Sequence, residues 1–309
     1  MHKFIIKRLG LMIPVICGVI FVVFTLTYLT EGCPAMMLIG EMAPPEDVAA
    51  LRAELGVDDP FIVQLTRYVA NVIRLDFGTS FASRNPVFTE VITRFPTTAH
   101  LAAMSVIIAV LLGIPLGIIS ATKHNTIFDN GATVVGLLGV SIPNFWLGMM
   151  LILFFSVRLG WFPASGFGTP MHWILPSFTI GVASMSVIMR MTRSSMLEVI
   201  RQDYIRTARA KGQKERNIIF KHALKNALIP IITVIGLQFG VLLGGAIVTE
   251  AIYAIPGLGR FMVDSIGRRD FPVIQGGVLL IALSFSFVNL MVDVLYAYVD
   301  PRIKSQYTS

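Results

Sequence analysis

The sequence predicts an all-α integral membrane protein with about six transmembrane helices and both termini in the cytoplasm. Three observations carry that prediction. Of 309 residues, 55% are hydrophobic and 14% charged, against roughly a quarter charged in soluble domains. The mean hydropathy of +0.74 means more apolar surface than one globular core can hide, which excludes a soluble enzyme, a disordered chain and a disulfide-stapled secreted domain. Finally, six stretches lack Asp, Glu, Lys, Arg and His over about the length that ~30 Å of hydrocarbon demands, roughly 20 helical residues.

Those stretches are residues 9–30, 101–122, 131–157, 173–189, 226–249 and 271–292. The first follows Lys3, Lys7 and Arg8, as a signal peptide would, but it is too long for the apolar core of one. No Ala-x-Ala cleavage site follows it, so it reads as a retained helix. The fourth is the shortest. Ten of the 25 basic residues lie between Arg190 and Lys225. With the N-terminus inside, the inner segments carry 16 basic residues and the outer ones 9, in keeping with the excess of Lys and Arg on the cytoplasmic side. The net charge of +7 is therefore read as topology rather than nucleic-acid binding. Cys17 and Cys33 form no CxxC motif and cannot make a disulfide framework.

The chain divides into an N-terminal helix (1–30), an extracytoplasmic segment (31–95), a membrane core (96–298) with a long inner loop (190–225), and a tail (299–309). In the outer segment, Pro45, Glu46 and Asp47 suit a helix start and Gly56 a stop, giving a helix over 45–55. In the inner loop, Asp203 is expected to cap a helix over 204–211. Lys211 would meet the negative end of its dipole, and Gly212 would end it in the left-handed conformation. A helix of eight residues is marginal alone in water and has to pack against something. Ala208 and Gly212 are small and one turn apart, and Arg206 and Arg209 form a basic edge. The loop either carries topological charge or docks a cytoplasmic partner. A second helical run, residues 215–225, follows it.

Other candidates stay open. Pro143, Asn144 and Trp146 interrupt the third stretch, where the amide can line a path or bond to a neighbouring helix. Pro256, Gly257, Leu258 and Gly259 form either a re-entrant turn at an outer gate, allowed where irregular backbone is buried in protein, or an ordinary turn. Glu250 and Asp293 are ionisable groups at membrane depth, hence functional candidates or partners of a neighbouring Arg. Ser165 and His172 raise an intramembrane serine hydrolase, with no partner motif in support. An ion channel lacks a ring-forming charge pattern. Neither H-E-x-x-H nor the phosphate loop G-x-x-x-x-G-K-[ST] occurs, and no His/Cys cluster points to a metal.

The segment Tyr204–Gly212, with the H-A-L-K-N-A-L-I-P that follows it, resembles the inner-loop signature of ABC importer permeases, and more narrowly the dipeptide, oligopeptide and nickel group. The general signature, Glu-Ala-Ala and then Gly four residues on, aligns with Arg206, Thr207, Ala208 and Gly212, so half of it is kept. Longer blocks also resemble that group: L-G-V-D-D-P-F-I-V-Q (55–64), L-D-F-G-T-S (75–80), W-F-P-A-S-G (161–166), R-M-T-R-S-S-M-L (190–197), P-G-L-G-R (256–260), R-D-F-P-V-I-Q (269–275) and D-P-R-I (300–303). Gly32, Cys33 and Pro34 stand where the group has Gly-Asp-Pro. The resemblance implies a type I importer permease core that forms half a translocation path in the bacterial inner membrane. Its partners would be a second homologous permease, two cytoplasmic ATPases and an external solute-binding protein. This chain would bind no cofactor; ATP and Mg would sit on the ATPases. Asp203, Tyr204, Arg206, Thr207, Ala208, Arg209, Ala210, Lys211 and Gly212 would be the coupling helix. Asn144, Glu250, Pro256, Gly257 and Gly259 would serve path or gate. Short peptides are the expected cargo, with nickel or a metal chelate as the alternative.

Overall fold

The computed structural model describes residues 2–30, 34–40 and 43–299, with side chains for 6–30, 35–40 and 43–295. Gly32, Cys33 and residues 300–309, which hold the D-P-R-I block, lie outside them. The described chain is helical: α1 (His2–Leu29), α2 (Pro34–Ile39), α3 (Pro45–Leu55), α4 (Phe61–Ile73), α5 (Val87–Thr122), α6 (Ile127–Ser141), α7 (Asn144–Arg158), α8 (Met171–Ile200), α9 (Asp203–Ala210), α10 (Glu215–Gly245), α11 (Ile247–Ile252), α12 (Leu258–Gly267) and α13 (Phe271–Val299). Five helices are long and apolar enough to cross a bilayer. A sixth span results if α6 and α7 count as one, although they meet at 101°.

That bend has a local cause. Pro143 cannot donate to the preceding turn, and its ring drives Ile142 into extended backbone (φ −80°, ψ 123°), so α6 has to stop there. The continuous third span expected from the charge-free run is thus a broken one. Two other boundaries also move. α8 runs eleven residues past the expected end at 189 because Thr192, Ser195 and Met196 are buried against the bundle. α10 closes at Gly245, and the expected last turn of the fifth span becomes the separate short α11.

α5 and α8 form the central pair. Small residues let their backbones nearly touch: a Cβ at Gly113 would lie 2.8 Å from the Met185 carbonyl oxygen, one at Gly117 2.7 Å from that of Met189, and one at Gly181 2.9 Å from that of Ser105. Close backbone approach is how helices associate where lipid gives no hydrophobic driving force. Burial grades outward: 61% of the apolar window of α8 is buried, against 17% for α1. Leu111, Leu137 and Val157 remain more than half exposed, as side chains facing hydrocarbon do. α1 lies on α13, pinned by Arg8–Asp293 at 2.8 Å, the arginine pairing expected for Asp293, and by Gln275 donating to Thr27.

Between α1 and α5, α3 spans the expected residues and stops at Gly56 (φ 61°). α4 presses Phe61 and Tyr68 onto Phe24, with ring centroids 5.4 Å apart in both pairs. In the exposed turn between α3 and α4, the Arg52 guanidinium beside Asp58 holds that carboxyl below its usual range. The loop from Gly78 to Asn85 is capped by Asp270. Its carboxylate accepts from the Ser80 hydroxyl and from the backbone N–H groups of Phe81 (3.0 Å) and Ala82 (3.2 Å).

Candidate functional site

The residues singled out in the sequence gather at two ends of the bundle. Thr98 and Ala121 lie 23 residues apart on α5, about 35 Å at 1.5 Å per residue. Ala121 packs in the cluster that holds α9, while Thr98 touches the α11–α12 corner.

α9 is one residue out of register with expectation. Gln202 occupies the capping position, with extended backbone and no side-chain bond, and Asp203 is the first helical residue. Asp203 therefore supports the helix through its charge in the first turn and through an exposed approach to Arg206 at 3.6 Å, instead of capping it. The other end follows the prediction. Gly212 sits at φ +72°, its N–H donates to the Arg209 carbonyl (2.9 Å), and that of Gln213 donates to the Ala208 carbonyl (3.3 Å). Those two bonds make a Schellman stop.

One side chain mounts the helix. Ile205 is fully buried among Ile118 and Ala121 of α5, Met196 of α8, and Ile218, Ala223 and Ile231 of α10, with Ala208 half-buried beside it. Sequence reasoning passed over Ile205, although it is the one aliphatic larger than alanine in D-Y-I-R-T-A-R-A. Ala208 thus faces the chain's own core, and a Cβ on Gly212 would meet no atom within 4 Å; the glycine is there for its backbone angle. The remaining face, Asp203, Tyr204, Arg206, Thr207, Arg209, Ala210 and Lys211, is exposed. Tyr204 Oη accepts from Asn226 Nδ2 at 2.7 Å, and Arg209 Nε donates to Glu215 Oε1 at 2.7 Å, so α9 is also tied to α10.

Beside this end lies a carboxylate that the sequence did not reveal. Asp129, 3% exposed in the first turn of α6, accepts from Arg193 Nε (2.8 Å) and Nη2 (2.9 Å) on α8. It also takes the Asn125 N–H (3.0 Å) and the Ser120 hydroxyl of α5, and His124 Nδ1 lies 2.9 Å away. The only signals available were an Asp just outside an apolar run and an Arg inside the R-M-T-R-S-S-M-L block.

At the far end, Glu250 is fully buried. Its partners are not the arginine side chain expected. Oε1 accepts from Thr98 Oγ1 at 2.6 Å and Oε2 from the Arg260 backbone N–H at 2.9 Å, while the Leu258 N–H donates to Thr98 Oγ1 at 2.9 Å. The carboxylate occupies the N-terminus of α12, where free N–H groups and the helix dipole favour negative charge. A Cβ on Gly257 would overlap that carboxylate, and one on Gly259 would lie 2.6 Å from Ile247 Cα and 3.0 Å from Glu250 Oε2. Both glycines are therefore set by close approach. Tyr253, also buried, ties the same corner inward: its hydroxyl donates to the Gly148 carbonyl of α7 (3.2 Å) and meets Thr179 Oγ1 of α8 (2.9 Å). Pro256 is exposed, and Asn144 is half-buried in the first turn of α7. Nδ1 of His172 accepts from the Thr169 N–H at 3.2 Å, so the neutral ring carries its proton on Nε2 and has no free lone pair to serve as a base for Ser165.

A multi-span helical bundle, a short helix docked across one end and a broken span tied to a glycine-rich corner define a polytopic helical membrane subunit. Solved structures share that fold: one of the inward-facing MetNI methionine ABC transporter matches at TM-score 0.58 and 20% identity, covering 68% of this chain and 96% of that one. The chain belongs to the family described as binding-protein-dependent transport system inner membrane component, which it matches over residues 113–305, with that family's N-terminal region over 1–102. It is 47% identical to the glutathione transport system permease protein GsiC of Salmonella paratyphi A, covering 98% of this chain and 99% of that protein. It is 44% identical to the dipeptide transport system permease protein DppB of Escherichia coli K12, with the same coverage. It is a transport permease subunit of the bacterial inner membrane.

Proposed function

We propose that this permease forms half of the translocation path for short peptides in an ATP-driven importer. An external binding protein delivers the peptide, a second related permease completes the path, and two cytoplasmic ATPase subunits bind Mg and hydrolyse ATP. α9 is the coupling helix. Both termini and α9 face the cytoplasm, and the 31–95 segment faces the binding protein.

The observation that carries this reading is the mounting of α9. Its single buried side chain, Ile205, is wedged between α5, α8 and α10, while seven residues around it, from Asp203 to Lys211, remain exposed. A partner that grips the exposed face moves three spans through one rigid contact. Because packed helices settle into discrete arrangements, such a push tilts them as bodies. At the far end, tilting of α5 moves Thr98 against Glu250 and thereby acts on the α11–α12 corner. Relatives named for dipeptides and glutathione support peptide cargo over nickel.

The substitution Ala210→Trp adds bulk to the exposed face and leaves Ile205 alone. The variant is expected to accumulate normally yet lose co-purification with the ATPases and ATP-driven uptake. Uptake at the wild-type rate would overturn the docking role. A cysteine at Thr207 should react with an impermeant thiol reagent from the cytoplasmic side alone.

A further inference from the structure

At the end of the bundle that carries the Glu250 corner is a cavity of about 280 Å³, bounded by the Ser80–Ser83 loop, Pro256 and Gly257, and α12 up to Asp270. Three guanidinium groups line it: Arg94 from α5, Arg260 from the first turn of α12, and Arg268 from its end. We infer that this cavity receives the C-terminal carboxylate of a transported peptide on its way to the gate corner. The inference rests on the peptide-permease reading and names a recognition element within it.

The hydrogen-bond ledger of the cavity supports an anionic guest. Asp270, one of its two carboxylates, is already taken by the Ser80 hydroxyl and the N–H groups of Phe81 and Ala82. The other, Asp264, approaches Arg260 Nε only to 3.9 Å, and Glu90 approaches Arg94 Nη2 only to 4.0 Å. Neither distance is a hydrogen bond. Arg94 is nonetheless held in place, since Nη1 donates to the Glu90 carbonyl at 2.8 Å and its guanidinium lies 3.8 Å from the Phe261 ring centroid. Each guanidinium offers five N–H donors in a planar fork. The cavity therefore carries three guanidinium groups against two carboxylates, and a guanidinium can bind a carboxylate bidentately.

Size narrows the ligand. At about 280 Å³ the space lies at the lower edge of small-molecule sites, a size that suits a short peptide or one end of a longer one. A free peptide C-terminus, with a pKa near 3.5, is ionised at neutral pH. Pro256 and Gly257 form one wall, and the Gly257 backbone lies against Glu250. A carboxylate seated here would therefore adjoin the segment proposed to open.

The test uses the complete importer in proteoliposomes, fed with trialanine or trialanine amide, with uptake expressed per loaded binding protein. The wild type should import the acid faster than the amide. Arg260→Gln and Arg268→Gln should each lower acid uptake about tenfold toward the amide rate, leave the amide rate unchanged and leave docking of the peptide-free binding protein intact. Arg268→Lys should recover part of the preference. Equal slowing of both peptides would mean a structural role and overturn the proposal. So would weakened docking of the empty binding protein, which would assign the arginines to an acidic side chain of that partner. If the wild type imports trialanine and the variants keep its preference for acid over amide, the subsite alone falls. If the wild type imports neither peptide, the peptide reading falls and the subsite with it.

Discussion

Two buried carboxylates near opposite ends of the bundle, Asp129 and Glu250, are neutralised by different means. Asp129 faces a guanidinium in a two-point grip, with His124 and two further donors around it. Among the described residues, Glu250 bonds to a hydroxyl and to backbone N–H groups at the start of a helix. The first arrangement is a clamp: pulling it apart strands two charges in a poorly hydrated place. The second is a socket. If α12 draws away, Glu250 leaves behind dipoles that water can satisfy, with no orphaned cation. A rigid joint suits the end where α9 would receive force, and a separable joint suits the end where a gate would open.

Substitutions can break or sharpen that contrast. The largest effect is expected from Arg193→Ala, which takes the guanidinium from the buried Asp129 carboxylate, leaves it only His124, Ser120 and Asn125, and should cost about 3–5 kcal/mol. Thermal unfolding in detergent would read this, and Asp129→Asn combined with Arg193→Met should lose less than the two single changes together. Next, Ile205→Ala should cost about 2–5 kcal/mol and uncouple ATP hydrolysis from uptake before it unfolds the spans. Glu250→Gln removes the charge and mismatches one donor, for about 1.5–3 kcal/mol. Hydrogen exchange should then quicken over residues 257–261 and stay unchanged over 118–130; equal quickening at both ends would mean the two regions are one unit. The smallest effect belongs to Gly212→Ala, about 1–2 kcal/mol for a left-handed residue with a side chain, seen as weaker ATPase binding with the bundle's melting temperature unmoved.

Much of this organisation could be read from the residues. The charge-free runs found the spans, and Pro45 and Gly56 bounded α3 to the residue. Asp203 to Gly212 marked α9 within one position, because its stop depends on a glycine's local backbone freedom. The misreadings share a cause. The Asp203 cap failed because the chain enters α9 extended at Gln202. Ala208 and Gly212, small and one turn apart, told less than Ile205, whose partners come from three distant helices. The expected arginine for Glu250 proved to be the backbone of Arg260, and no side-chain pattern announces an N–H donor.

The sequence by itself determined that the chain must live in lipid, which stretches form its spans, and which loop carries the basic charge. These follow from transfer free energy and from local backbone preferences, both legible residue by residue. Only the tertiary structure decided that Asp129 meets Arg193 across 64 positions and that Thr98 reaches Glu250 across 152. Those pairings depend on how far helix backbones can approach one another, and that distance is set by glycines on facing helices packed together.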